Sequence, residues 1–469
     1  MTEGVSGRAA AASQELAGEV GNIARTCPRV TLEIGVFFDG TGNNTANAQA
    51  GGGRGSFANA RSNVSLLYSL YKSRQEHHIR NSCGGYARKF GRIYKQGIGT
   101  RDGWSDAWSV TGAAFGMGAT GVESRVYEAC LDVGRLIREL SPGVEPAEII
   151  MDVFGFSRGA AAARYFVNCF RQGFILYDEY FVNRRRAEVP RGRRVRFRFV
   201  GIFDTVAAVG WGDDDANGPV NVHLSTAQAE KIFHLTAADE YRQNFRLNHN
   251  LDRSTRVGNS ALLTGSGGEA RELPGAHSDV GGGYRDAGDT VDTGPSRNNQ
   301  FRTRAEAQAA RDRLTATRPE GGFWLREGWI DGNEPDGGHI THASPIRPVA
   351  RFGPGGMAVT TYQFSTTPRL HRPWVKIGLS RVALKIMYDK ALQQQVPFLA
   401  MPTGGEYAIP DELQPVARKL ISGQSLTRDE HRRTLHDFGH FSSNVGSVGM
   451  SPERGHVRVI YPNQPGQAR

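Results

Sequence analysis

Three residues in this sequence have the types and settings that hydrolytic chemistry needs: Ser157, Asp204 and His277. Ser157 lies in Gly155-Phe156-Ser157-Arg158-Gly159, a G-x-S-x-G motif. Between a strand and a helix, this motif places the serine on a sharp, strained turn with its hydroxyl aimed into a cleft. The two glycines let strand and helix approach closely. The N–H of Arg158, at the helix start, is then a donor for a developing oxyanion. Asp204 ends an apolar segment, where an acid is costly unless it is paired or functional. His277 sits in the Gly-rich loop from Pro274 to Tyr284, a setting that places a base beside a cleft. Together the three could perform acyl transfer. The serine attacks a carbonyl, the histidine takes its proton and returns it to the leaving group, and the aspartate orients the imidazole and stabilises its cation. A bare G-x-S-x-G and a lone loop histidine both recur as ordinary structure, so the reading rests on their settings and order. His440 is an alternative base and Asp213 to Asp215 are alternative acids, but neither group directly follows a core-like strand.

The flanking segments must do the positioning. Ile149 to Phe156 reads as a buried strand, and Gly159 to Arg164 opens a small-residue helix. Val30 to Phe38 reads as a central strand running into Asp39-Gly40-Thr41-Gly42-Asn43-Asn44. The N–H groups of Gly40 and Thr41 are candidates for the second oxyanion donor. A phosphate loop is the rival reading of that turn, but no G-x-x-x-x-G-K-[ST] follows. Further strands are expected at Phe90 to Gln96, Arg196 to Phe203 and Ala261 to Thr264. Helices are expected at Val64 to Tyr71, Val122 to Leu140, Ala227 to Phe245 and Val382 to Leu399. This alternation predicts an α/β fold with a mostly parallel central sheet, helices on both faces and lid or insertion segments. Loops at the carboxyl ends of parallel strands share one sheet edge, where the three residues can meet. The expected division is an N-terminal arm (1–27), a catalytic core (28–290), an insertion or lid (291–350) and a C-terminal part (351–469) packing on the core, with a disordered tail. The segment from Trp104 to Phe115, aromatic among glycines, reads either as a second lid or as irregular packing.

Composition sets outer limits. The chain has 469 residues, 39% of them hydrophobic, enough for a sizeable core. No apolar run approaches the roughly 20 residues that span a bilayer. Met1 to Glu19 lacks a basic start, a sustained apolar stretch and a cleavage site, so no signal peptide is expected and synthesis in the cytoplasm is. The net charge of +10 favours anionic surfaces, and Arg184 to Arg198 is the densest basic run. No zinc-finger spacing or RNP-like motif accompanies it, so nucleic acid is not an expected partner. None of the four cysteines, Cys27, Cys83, Cys130 and Cys169, forms a C-x-x-C pair. No cofactor or metal site is expected.

The order Ser157, Asp204, His277 is that of an α/β-hydrolase triad. Four segments carry a more specific resemblance: Gly35 to Asn44, Gly155 to Ala160, Gly201 to Val206, and Pro274 to Tyr284. They look like the class 1 type VI secretion lipase effectors, bacterial α/β-hydrolase-like phospholipases. That resemblance implies phospholipase A activity on membrane phospholipids by a Ser-Asp-His triad, carried here onto Ser157, Asp204 and His277. It also implies export without a signal peptide on a VgrG-like spike protein, action in a rival cell's periplasm, and a cognate immunity protein. The alternatives are a serine esterase of soluble or carbohydrate esters, and a non-catalytic basic protein binding lipid or nucleic acid.

Overall fold

The computed structural model describes residues 30–464, apart from residues 53, 75, 80–85, 105, 107–119, 178–184, 190–194, 209–219, 253–261, 318–321, 335, 353–356 and 448. The expected N-terminal arm, Cys27, Cys83, Trp108, Phe115, Asp213 to Asp215, and Arg184, Arg191, Arg193 and Arg194 lie outside the described residues.

Eight strands form the central sheet. They are β1 (Val30–Phe38), β2 (Glu76–Ile79), β3 (Tyr86–Lys95), β4 (Glu148–Phe156), β5 (Val195–Phe203), β6 (Lys231–Ala237), β7 (Leu262–Gly265) and β8 (Gly268–Leu273). Their spatial order is β7-β8-β6-β5-β4-β1-β3-β2. The six inner strands are parallel, and the edge strands β2 and β7 pair antiparallel. Strands β1, β4 and β5 are rich in β-branched and aromatic residues and buried almost throughout, as strands covered on both faces must be.

The pleat divides their side chains between two cores. Ile34, Val36, Met151, Val153, Val200 and Ile202 face helices α2 (Val122–Leu140) and α3 (Arg158–Gln172). Phe37, Phe154, Phe156, Phe199 and Phe203 face α1 (Asn63–Leu70) and α5 (Leu379–Gln393). The result is the expected mixed α/β architecture, with helices on both faces of a mostly parallel sheet. Residues 289–372 add a second sheet of β9 (Asp289–Asp292), β10 (Arg297–Phe301), β11 (Gly338–Ala343), β12 (Arg347–Phe352) and β13 (Ala358–Arg372). The long strand β13 pairs with each of the other four.

Two sequence expectations are corrected. Ala227 to Phe245 is not a helix: its middle is the buried parallel strand β6, which carries His234. A strand with both faces covered is a continuous apolar run, so it lacks the alternation that marks a strand. The helix expected at Val382 to Leu399 starts at Leu379 and ends at Gln393. Pro397 disfavours a helical residue before it, and Gln395 takes φ 59°. The freed segment returns Phe398 to pack on Tyr71 and Phe154.

Candidate active site

The parallel inner strands put their carboxyl ends on one edge, and the predicted residues follow those ends. Ser157 follows β4, Asp204 follows β5, and Asp39 to Thr41 follow β1. His277 opens the short helix α4 (His277–Gly281), four residues beyond β8. The register aligns these ends directly, pairing Phe38 with Gly155, Phe156 with Phe203, and Leu273 with Ala237.

Ser157 has φ 58° and ψ −128°, in the positive-φ region that residues with a Cβ rarely adopt. Its neighbours make the turn possible. A Cβ on Gly155 would lie 2.4 Å from the Gly159 carbonyl oxygen, and one on Gly159 would lie 2.3 Å from the Asp39 carbonyl oxygen. Both motif glycines are therefore required by close backbone approach. The Ser157 N–H donates to Phe203 O at 3.1 Å, tying this turn to the strand that delivers Asp204.

Asp204 is wholly buried and lies 2.5 Å, Oδ2 to Nδ1, from His277. The ring of Phe156 sits 4.6 Å from the imidazole, and Phe245 meets it edge-on at 5.0 Å. This aromatic clamp fixes the ring plane beside the residue that precedes Ser157. Ser157 is 3% exposed and His277 4%. Burial would raise the Asp204 pKa, but Arg458 and His277 outweigh it and hold the acid well below the carboxylate range. Burial also lowers the pKa of His277; Asp204 opposes that fall without cancelling it.

Arg158 starts α3, so its N–H belongs to the open first turn of the elbow helix. The Gly40 N–H donates to Asp39 Oδ1 at 2.8 Å. Tyr94 donates to the other Asp39 oxygen at 2.5 Å. Thr41 Oγ1 is buried with no hydrogen-bond partner among the described residues. Of the alternatives, His440 is bound through Nδ1 to Asp279 at 2.8 Å and stacks on Tyr284. It braces the loop that carries His277.

Several site residues escaped the sequence reading. Arg458 grips both oxygens of Asp204. Glu240 accepts the His277 N–H at 3.2 Å and is paired with Arg242. Burial pushes Glu240 up, but Arg242 and then Arg458 bring it down to about 2. The available signal was an arginine inside the strand-like run Val457-Arg458-Val459-Ile460-Tyr461, where a buried cation needs an acid. Among the described residues, one group could gather ligand atoms for a metal: Asp331, Glu334 and His436, within 4.8 Å of one another. Glu334 there already accepts the N–H groups of Asp331 and Gly332.

The sheet and its flanking helices define an α/β-hydrolase-like fold. The model of the T6SS phospholipase effector Tle1-like catalytic domain matches residues 33–179 and 177–300, more than half of the chain. The chain belongs to this family of type VI secretion phospholipase effectors. A solved structure of the Tle1 effector bound to the VgrG spike of the type 6 secretion system is 25% identical. It aligns over 93% of this chain and 94% of its own, with a TM-score of 0.62. A crystal structure of an uncharacterized protein from Pseudomonas aeruginosa is 18% identical over 90% of this chain and 54% of its own, with a TM-score of 0.44. No curated protein matches the sequence.

Proposed function

We propose that Ser157, Asp204 and His277 are the catalytic triad of a phospholipase A-type serine esterase that hydrolyses acyl esters of membrane phospholipids. The observation that carries this reading is the buried Asp204–His277 pair, 2.5 Å apart, at the same sheet edge as a serine held at φ 58°. Ser157 Oγ attacks the ester carbonyl. His277 Nε2 takes its proton and returns it to the departing lysophospholipid hydroxyl. Asp204 holds the Nδ1–H tautomer and stabilises the imidazolium, and water then repeats the sequence to free the fatty acid.

The oxyanion is held by the Arg158 N–H and a donor from the Gly40–Thr41 turn. A donor of this kind lowers the barrier by roughly 3 kcal/mol. The Gly40 N–H is committed to Asp39 at rest, which favours Thr41 as that donor. No step in this sequence calls on a metal or cofactor.

Family membership supports delivery by type VI secretion as an antibacterial toxin, acting on target-cell membranes from the periplasm. The relative bound to VgrG supports a VgrG-like spike as the carrier. A cognate immunity protein in the producing cell completes the reading.

The test is fatty-acid release from phospholipid vesicles whose sn-1 and sn-2 chains carry different labels, with wild type beside Ser157→Ala. Wild type is expected to release one chain preferentially, and Ser157→Ala to lose about 10⁶-fold in turnover. Hydrolysis of a short soluble ester with no release from vesicles would move the substrate off the membrane. Equal release by both proteins would remove Ser157 from the chemistry.

A further inference from the structure

We infer that Arg458, from the C-terminal segment, is a positioning residue of the catalytic acid: its guanidinium fork fixes Asp204 and thereby sets the basicity and orientation of His277. The inference rests on the triad reading above.

The geometry is that of a built site. Arg458 Nη1 donates to Asp204 Oδ1 at 2.7 Å, and Nη2 donates to Oδ2 at 2.8 Å. The guanidinium also reaches the carbonyls of Phe245 at 2.8 Å and Ala237 at 3.3 Å. The Ala237 N–H returns to Asp204 Oδ1 at 2.9 Å. Both side chains are almost wholly buried. Oδ2 is thus shared between Arg458 and His277 Nδ1, and the Phe245 carbonyl held by Arg458 belongs to the residue whose ring abuts the imidazole. A two-point fork gives a carboxylate one orientation, which a single ammonium cannot do.

Arg458 is itself held by its own segment. Leu247 N–H donates to Val459 O, and His249 N–H donates to Tyr461 O. Asn463 accepts from Arg164 of the elbow helix and donates to Leu224 O. The C-terminal segment therefore ties the nucleophile's helix to the acid. It also lies well beyond residue 300, where the match to the catalytic-domain family ends.

The electrostatic consequence has a sign. A cation on Asp204 draws charge away from the imidazole, so Arg458 weakens the aspartate's stabilisation of the imidazolium. Among the described residues, the other charged or titratable groups that act on the pair include Glu240 and Arg242 beside His277, with Arg242 also felt by Asp204, and His234 and His249 beside Asp204. Glu240 and Arg242 neutralise each other, which leaves Arg458 as the cation bound directly to the acid.

The experiment compares wild type, Arg458→Met, Arg458→Lys, Asp204→Asn and Asp204→Asn/Arg458→Met on a soluble ester, recording kcat, KM and the acid limb of kcat/KM. Folding is checked by circular dichroism and melting temperature. Arg458→Met is expected to lose ten- to a hundredfold in kcat with little change in KM, and to move the acid limb to higher pH. Arg458→Lys is expected to keep the limb near that of wild type while losing several-fold in kcat. In the Asp204→Asn background, Arg458→Met is expected to add no further loss, because the two-oxygen carboxylate that Arg458 orients and neutralises is gone.

Folded variants with wild-type kcat and limb would overturn the inference. So would a loss that tracks the unfolded fraction with an unmoved limb. If Arg458→Met does not fold, Arg458→Lys decides alone: wild-type kcat would overturn the inference, and a several-fold loss at unchanged KM would support it. Full activity in Asp204→Asn would instead sink the triad reading, whatever the Arg458 variants do.

Discussion

At the scale of residues, burial and pairing set the protonation behaviour. His277 titrates below the ordinary imidazole value because burial disfavours its cation more than Asp204 favours it. The acid limb of kcat/KM on a soluble ester is therefore expected below about pH 6.5. A limb at or above that value would show that Asp204 outweighs burial at His277. Asp204→Asn keeps the shape but loses the charge and favours the wrong tautomer, so kcat should fall about 10⁴-fold. Asp204 and Glu240 also link stability to pH. Both carboxyls are depressed in the folded state, so their contribution is complete above the ordinary carboxylate range, near pH 4, and is lost as pH falls through the folded values. Buried His234, His249 and His277, all lowered from the ordinary imidazole value, already cost stability as pH falls below about 6.5. The melting temperature is expected to drop further below about pH 4 as the two carboxyls protonate. Glu240→Gln should flatten the part of the drop that ends near pH 2. An unchanged slope in that variant would show that Glu240 does not carry it.

At the scale of elements, the strand–turn–helix unit is where the sequence was most legible. A β-branched run, two glycines around a serine and an alanine-rich helix agree with one another at every level. The structure adds why the glycines are needed: each faces main-chain oxygen or backbone that no side chain can displace. Gly159→Ala would drive its methyl into the Phe38 and Asp39 carbonyls, both 2.3 Å away. A cost of about 1–3 kcal/mol or more is expected, with Ser157 displaced as well. Thermal melting and a serine-directed phosphonate probe would both register it, and normal labelling at an unchanged melting temperature would refute it. The ends of β4, β5 and β1 could be read because apolar runs stop at polar or glycine residues. Strand β6 could not, because Ile232, Phe233 and Leu235 fit a helical face as well as a buried strand. The pairing of Arg458 was illegible for another reason. Its partner lies 254 positions away, and sequence pattern carries no record of a pairing at that range.

At the scale of the whole molecule, an enzyme of insoluble lipid must hold an interface as well as a bond. Among the described residues, no helix is long and apolar enough to cross a membrane. Among the described residues, large exposed apolar side chains collect where β12 ends and β13 begins. Phe352 is 83% exposed, Met357 73% and Val359 51%. Phe352 pairs across the hairpin with Ala358, and Arg351 with Val359. Arg347 and Arg351 are exposed on the same strand. An apolar end flanked by arginines suits a surface of acyl chains beneath anionic phosphates, in a chain whose net charge is +10. Strand β13 runs from this end to Arg372, which is buried against Asp289. Asp289 in turn accepts the N–H of Phe441, the residue after His440. The hairpin is thus rooted near the loop that carries His277. Phe352→Ser/Met357→Ser is expected to lower hydrolysis of anionic vesicles about tenfold or more while leaving kcat/KM on a soluble ester unchanged. That difference should shrink as salt is raised, because the arginine contribution is screened. Equal losses on both substrates would mean the hairpin matters to the fold rather than to the membrane. Unchanged activity on both would mean that the protein meets lipid by another face.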